Sequence, residues 1–136
     1  LRYAAEEQPK AIPDYNVFHR YAANFPWRSH ALWYMSQMKR WGQYESAVTP
    51  AEVAQSVYQP EIYRAAAQRC GVETPAIDSH SAGNHAHNWH LDNGMEMAAD
   101  RFMDGRKFDP ADLDTYIESF AIRHRMSSNT ITGQAV

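Results

Sequence analysis

The chain has 136 residues, 44% of them apolar and 21% charged, enough for one ordinary folded domain and too few for two. Thirteen basic against sixteen acidic residues leave a net charge of -3, which gives no support to a direct nucleic-acid or membrane-surface role, since both need a concentrated positive field. No apolar run has the length needed to cross a bilayer, and the single cysteine, Cys70, excludes an intrachain disulfide.

The chain opens on Leu1 rather than methionine, and residues 1–13 read like the interior of a longer polypeptide. A fragment is therefore expected. Residues 1–28 form an extended connecting segment rich in aromatics (Tyr15, Phe18, Tyr21, Phe25, Trp27), with a short strand or turn near Asn16–Phe18. A helical region spans 29–126. Its first helix is predicted from an N-cap at Ser29, with Ala31, Tyr34, Met35, Met38 and Trp41 on one apolar face. Lys39 and Arg40 suit the negative end of its dipole, and Gly42 ends it.

Thr49-Pro50-Ala51-Glu52 reads as a capping box with proline at the first helical position. A third helix starts at Pro60, carries Tyr63, Ala66, Ala67 and Cys70 on one face and stops at Gly71. On that apolar face Cys70 reads as an inert core thiol. From Val72 to Asn93 the pattern dissolves into a loop of Pro, Asp, Ser, Gly, Asn and His, long enough to suggest function. A turn or short helix follows through Met95–Phe102, then a turn at Asp104-Gly105. Asp109-Pro110 opens a last helix with Leu113, Tyr116, Ile117 and Phe120 inward. Residues 127–136 read as a flexible tail.

Two features could carry chemistry. Four of the seven histidines, His80, His85, His87 and His90, crowd into the long loop. Neutral imidazoles at this density suit zinc, copper or nickel, and His85, His87 and His90 are the metal candidates. The spacing matches no established metal motif, and the plainer reading is a polar loop whose histidines bond to backbone and water. The second feature is Arg28-Ser29-His30 at the first helix start, where free N–H groups and a guanidinium fork could hold an oxyanion. Ser29 capping and Arg28 pairing with a carboxylate explain the same residues. No nucleophile elbow, phosphate loop or catalytic carboxylate pair stands out, so no catalytic residue, no cofactor and no enzymatic activity are expected.

Asn24 to Trp33 (Asn-Phe-Pro-Trp-Arg-Ser-His-Ala-Leu-Trp), then Met38 and Arg40-Trp41-Gly42-Gln43, resemble the C-terminal region of nitrate/nitrite/bicarbonate-binding proteins. Tyr58-Gln59-Pro60-Glu61-Ile62-Tyr63-Arg64 continues that pattern, followed by Gly83, His85-Ala86, Trp89, and then Asp100 to Gly105 with Phe108-Asp109-Pro110. Ala82 and Met103 depart from it, standing where the family often has glutamate and an aromatic.

The family comprises solute-binding components of ABC importers and related cytoplasmic nitrate sensors. The resemblance implies a mainly helical segment with long irregular loops, the C-terminal part of a two-lobed α/β periplasmic-binding-protein fold of type II. It also implies a small inorganic anion as ligand, transporter membrane subunits or a regulatory protein as partner, and a periplasmic or membrane-associated location, or a cytoplasmic one for a sensor. The family's main anion contacts lie upstream, so no ligand residue is carried over. A metal-dependent hydrolase built on the His loop is a remote alternative. A piece cut from a larger body is expected to expose apolar surface and to self-associate.

Overall fold

The computed structural model describes residues 4–6, 8–12, 14–44 and 47–123. Four helices and one minimal sheet make up its regular structure: α1 (Arg28–Arg40), α2 (Pro50–Val57), α3 (Pro60–Arg69), β1 (Trp89–His90), β2 (Glu96–Met97) and α4 (Leu113–Glu118). The two strands pair antiparallel, Trp89 opposite Met97 and His90 opposite Glu96. Beyond these, a 3₁₀ turn over Arg20–Ala22 and an isolated antiparallel bridge between Ala82 and Phe108, the described residues are turn, bend or irregular chain. The predicted tail, 127–136, and the end of the predicted helical region, 124–126, lie outside the described residues.

α1 is the spine, packing on α2 and on α4. Its N-terminal half serves two apolar clusters. Trp27, just before the helix, joins Ala22, Phe25, Leu91 and Met97, with Tyr63, Trp89 and Met95 at the margin. Leu32 and Trp33, one turn on, lean against Phe108, Tyr116 and Phe120. The apolar stripe therefore runs differently from the expected one. Ala31 and Met35 are buried, whereas Tyr34, Met38 and Trp41 are 56%, 38% and 54% exposed. Ser29 and Ser36 take inward positions instead, because α1 is covered from two sides and small polar residues admit close approach.

Helix ends follow local chemistry where glycine decides and depart from it where side-chain caps were expected. Gly42 (φ 67°) and Gly71 (φ 66°) stop α1 and α3 in left-handed conformations. Behind them Gln43 N–H donates to Met38 O at 2.8 Å, and Val72 N–H to Ala67 O at 2.9 Å, satisfying carbonyls the helices leave open. Thr49 precedes α2 with Pro50 at its first position, yet makes no side-chain cap bond. α4 begins later than Asp109-Pro110 foretells: Ala111 N–H bonds back to Asp109 Oδ1, making a separate turn, and Asp112 caps the helix by accepting from Thr115 N–H at 3.1 Å.

Two further expectations fail, and a third resolves between its alternatives. The segment Met95–Phe102 contains β2 rather than a helix, because Trp89–His90 offers it a strand edge. Cys70 caps the C-terminal end of α3 and is exposed, since that helix buries only Pro60 and Ala67. Near Asn16–Phe18, of the strand and the turn expected there, the turn forms: Tyr15 N–H donates to Ile12 O at 3.1 Å and bends follow, before a 3₁₀ turn over Arg20–Ala22. Tyr21 (φ 60°) and Ala22 (φ 49°) there are consecutive left-handed residues without glycine.

Candidate functional site

The start of α1 is built by the long loop rather than by α1 itself. Trp27 is 1% exposed, and its indole Nε1 donates to Ala22 O at 3.1 Å. It stands extended at the N-cap position (φ -65°, ψ 118°), so the helix opens at Arg28, one residue before the serine expected to cap it. The backbone N–H of Arg28 donates to Asp78 O at 2.8 Å, while those of His30 and Ala31 turn to Trp27 O. Ser29 lies inside the first turn, 1% exposed, with Oγ accepting from His80 N–H at 3.3 Å. Its predicted capping role is thus taken by an acceptor fifty residues away, which no local pattern announces.

Arg28 is committed to carboxylates. Nη1 reaches Asp78 Oδ2 at 2.6 Å, and Nη2 reaches Glu61 Oε1 at 2.8 Å. Asp78 gives its other oxygen to Arg64 Nη2 at 2.6 Å, and Arg64 also donates to Pro75 O and Ile77 O at 2.9 and 3.0 Å. One aspartate on the loop therefore ties α1 to α3 through two guanidinium groups. An incoming anion at Arg28 would compete with Asp78 and Glu61, so of the two explanations for Arg28 the geometry displays the carboxylate pair.

His30, the third member of that trio, points elsewhere. It is exposed, with its ring 5.8 Å from that of His80 and 6.4 Å from that of Trp27. Desolvation, with a smaller contribution from neighbouring His80, lowers its pKa to about 4, a depression that the exposure of the residue tempers. His80 is packed edge-on to Trp27 at 4.5 Å, with Nδ1 2.8 Å from Ser81 O. A carbonyl partner makes Nδ1 the protonated nitrogen of the neutral ring, leaving a lone pair on Nε2. That Nε2 is buried without a hydrogen-bond partner. Burial pushes the His80 pKa down against the opposing pull of the Ser81 bond and Asp100. Both rings are accordingly neutral near pH 7.

The histidine loop is ordered by a carboxylate. Asp100 accepts from His85 backbone N–H at 2.8 Å, approaches His85 Nδ1 at 3.0 Å and donates its own N–H to His85 O at 3.1 Å. The His85 ring lies flat on Trp89, centroids 3.9 Å apart and planes 11° from parallel. His87 stands exposed in a bend and His90 exposed in β1, so an extended run aligning His85 with His87 does not form. Among the described residues no group of three or more His, Cys, Asp or Glu is placed to hold a metal ion.

Three clefts meet at His80. One of about 320 Å³ runs toward Ile77, Leu91 and Asp92. Another of about 510 Å³ opens past His30 toward Tyr21, Trp89 and Met97. The third, about 390 Å³, lies between α1 and the chain around Arg101, walled by Trp33, Tyr34 and Phe102. His80 belongs to the histidine cluster but not to its metal candidates, and no spacing in the sequence marks Asp100 or Arg101. The one sign of them in the sequence is that Asp100-Arg101 opens the family-like stretch Asp100–Gly105.

No family model matches the chain, and no solved structure does. Curated relatives do. The chain is 27% identical over 101 residues to the nitrate/nitrite binding protein NrtA of Nostoc sp., covering 74% of this chain and 20% of that protein. It is 28% identical over 103 residues to NrtA of Synechococcus elongatus, covering 74% of this chain and 19% of that one. Against the nitrate import ATP-binding protein NrtC of Synechocystis sp. it is 29% identical over 120 residues, covering 88% of this chain and 15% of the relative. The chain thus spans a fifth or less of the length of these relatives, and it is distantly similar to proteins of nitrate transport.

Proposed function

We propose that this chain is part of a substrate-binding protein that delivers nitrate, nitrite or bicarbonate to an ABC transporter on the extracytoplasmic side of the membrane, and that it binds its ligand without transforming it. The observation that carries this reading is the match to nitrate/nitrite binding proteins over three quarters of the chain. Binding a small oxyanion means replacing its hydration shell with fixed donors, which requires a rigid frame. The Asp78 seam, holding α1, α3 and the long loop in one register, is suited to be such a frame. Because Arg28 is already paired, we assign this chain the framing role and place the principal anion contacts outside it.

A chimera tests the assignment. The segment of the Nostoc protein that aligns with this chain is replaced by it, and nitrate binding is measured by isothermal titration alongside the unmodified protein. Retained binding, within about tenfold of the parent, supports the reading, since a frame that fits preserves donors held elsewhere. A folded chimera that no longer binds nitrate, nitrite or bicarbonate sinks it.

The similarity to an ATP-binding protein of nitrate import, over 88% of this chain, favours a second reading: a sensing module that engages a regulatory partner or the ATPase side of the transporter, in the cytoplasm. Nitrate-dependent association of the chain with that ATP-binding protein, absent with the binding protein, would select it.

A further inference from the structure

The cleft between α1 and the chain following Asp100 has a chemistry that a four-atom inorganic anion does not exploit. Its volume is about 390 Å³. That falls in the range of organic-ligand sites, and is several times the roughly 30 Å³ share of a single water. Its walls are aromatic: Trp33 and Phe102 stack with centroids 6.2 Å apart and planes at 29°, and Tyr34, 56% exposed, stands beside them. Trp33 is held in place by its Nε1 donating to Tyr116 Oη at 3.1 Å, so this wall is fixed before any ligand arrives.

The charge in this cleft is equally specific. Eight arginines fall among the described residues. Six are engaged with carboxylates, carbonyls or hydroxyls: Arg20, Arg28, Arg40, Arg64, Arg106 and Arg123. Arg69 and Arg101 have no hydrogen bond or ion pair with any described residue, and Arg101 lines this cleft. Asp100, beside it, spends both carboxylate oxygens on His85. Arg101 is therefore a planar, permanently charged fork without an internal anion, exposed next to a stacked aromatic wall.

We propose that this cleft binds a small organic monocarboxylate with a planar apolar body, the carboxylate on Arg101 and the body against Trp33 and Phe102. A bidentate guanidinium matches a carboxylate, and one unpaired arginine beside an aspartate offsets one negative charge rather than two, which disfavours phosphate monoesters. Flat bodies gain from offset stacking on the existing aromatic pair. This site is independent of the nitrate reading, since neither Arg101 nor the aromatic wall belongs to the Asp78 frame.

Benzoate is the probe, with benzamide as its uncharged counterpart and nitrate as the anion without a body. Each is titrated into the isotopically labelled chain while the Trp33 indole N–H and the Arg101 and Phe102 amides are followed by NMR. Benzoate is expected to saturate shifts at those groups, with benzamide and nitrate each at least about fivefold weaker. Arg101→Gln is expected to weaken benzoate by about tenfold, and Arg69→Gln to leave it unchanged. Both arginines are exposed and unpaired, so both variants should fold, as circular dichroism would check. The proposal is overturned if benzoate moves other residues only, if benzamide or nitrate binds as well, if Arg101→Gln has no effect, or if millimolar benzoate produces no shift.

Discussion

Asp78 concentrates more of the molecule's order than any neighbouring residue, since both its oxygens hold arginines from different helices at 2.6 Å. Asp78→Ala takes one charged partner from each of two part-buried guanidinium groups, leaving Arg28 with Glu61 and Arg64 with the Pro75 and Ile77 carbonyls, and is expected to cost roughly 2 kcal/mol in urea unfolding. Glu61→Ala removes a carboxylate that is 60% exposed, and is expected to cost under about 1 kcal/mol. Equal effects would mean that the seam is not organised around Asp78. The two depressed histidines contribute to acid sensitivity. His30 and His80 have folded-state pKa values below the ordinary value of 6.5, so between that value and the folded one the unfolded chain binds more protons. Stability contributed by keeping these rings neutral is present above pH 6.5 and lost as pH falls toward about 4. A thermal midpoint that declines across this window, and declines less in His30→Gln, is the expected result.

Among the elements, the glycine-terminated helices α1 and α3 were legible to within a residue or two because their signals are local. Gly42 and Gly71 need only their own backbone conformation, and the two prolines at Pro50 and Pro60 need only an unpaired first turn. Capping by Ser29 was misread because the acceptor that replaces it, Asp78 O, arrives from the loop. The strand at Glu96–Met97 was missed for the same reason, since two residues have no period to detect and only Trp89–His90 makes them a strand. Of the candidate site, the His loop and the α1 start stand out in the sequence, whereas the Asp100 clasp and the unpaired Arg101 do not. An ion pair, or its absence, is a property of the folded chain. Gly83 shows how tightly the irregular parts join: with φ at +84°, a Cβ there would sit 2.4 Å from Arg106 O, next to the bridge of Ala82 with Phe108. Gly71→Ala, in open space, is expected to cost about 1–2 kcal/mol from conformation alone. Gly83→Ala must also open that bridge and is expected to cost clearly more in the same denaturation experiment.

Across the whole molecule, two modest apolar clusters share one spine while large apolar side chains face outward. Phe18 is 75% exposed, Val57 67%, Ile62 66% and Trp41 54%. Surface of this kind is expected to drive association, so the sedimentation coefficient should rise with concentration, and a single species independent of concentration would contradict it. No helix among the described residues is long and apolar enough to cross a membrane.

The left-handed pair Tyr21–Ala22 reverses the usual sense of a truncation. Two non-glycine residues at φ 60° and 49° each carry roughly 1–2 kcal/mol of torsional cost. Ala22→Gly would remove a buried methyl, about 0.8 kcal/mol, while relieving a cost of similar size. The exchange should be nearly neutral, whereas Ala54→Gly within α2 should show the full loss. The corner is thus a loaded spring, kept wound by the Trp27 indole on Ala22 O, and it forms one wall of the cleft of about 510 Å³. A wall under torsion yields sooner than one held by packing. The amides of Ala23 and Phe25, bonded to Arg20 O and Ala22 O, should exchange with solvent faster than those in the middle of α1, which would make that cleft the most compliant of the three.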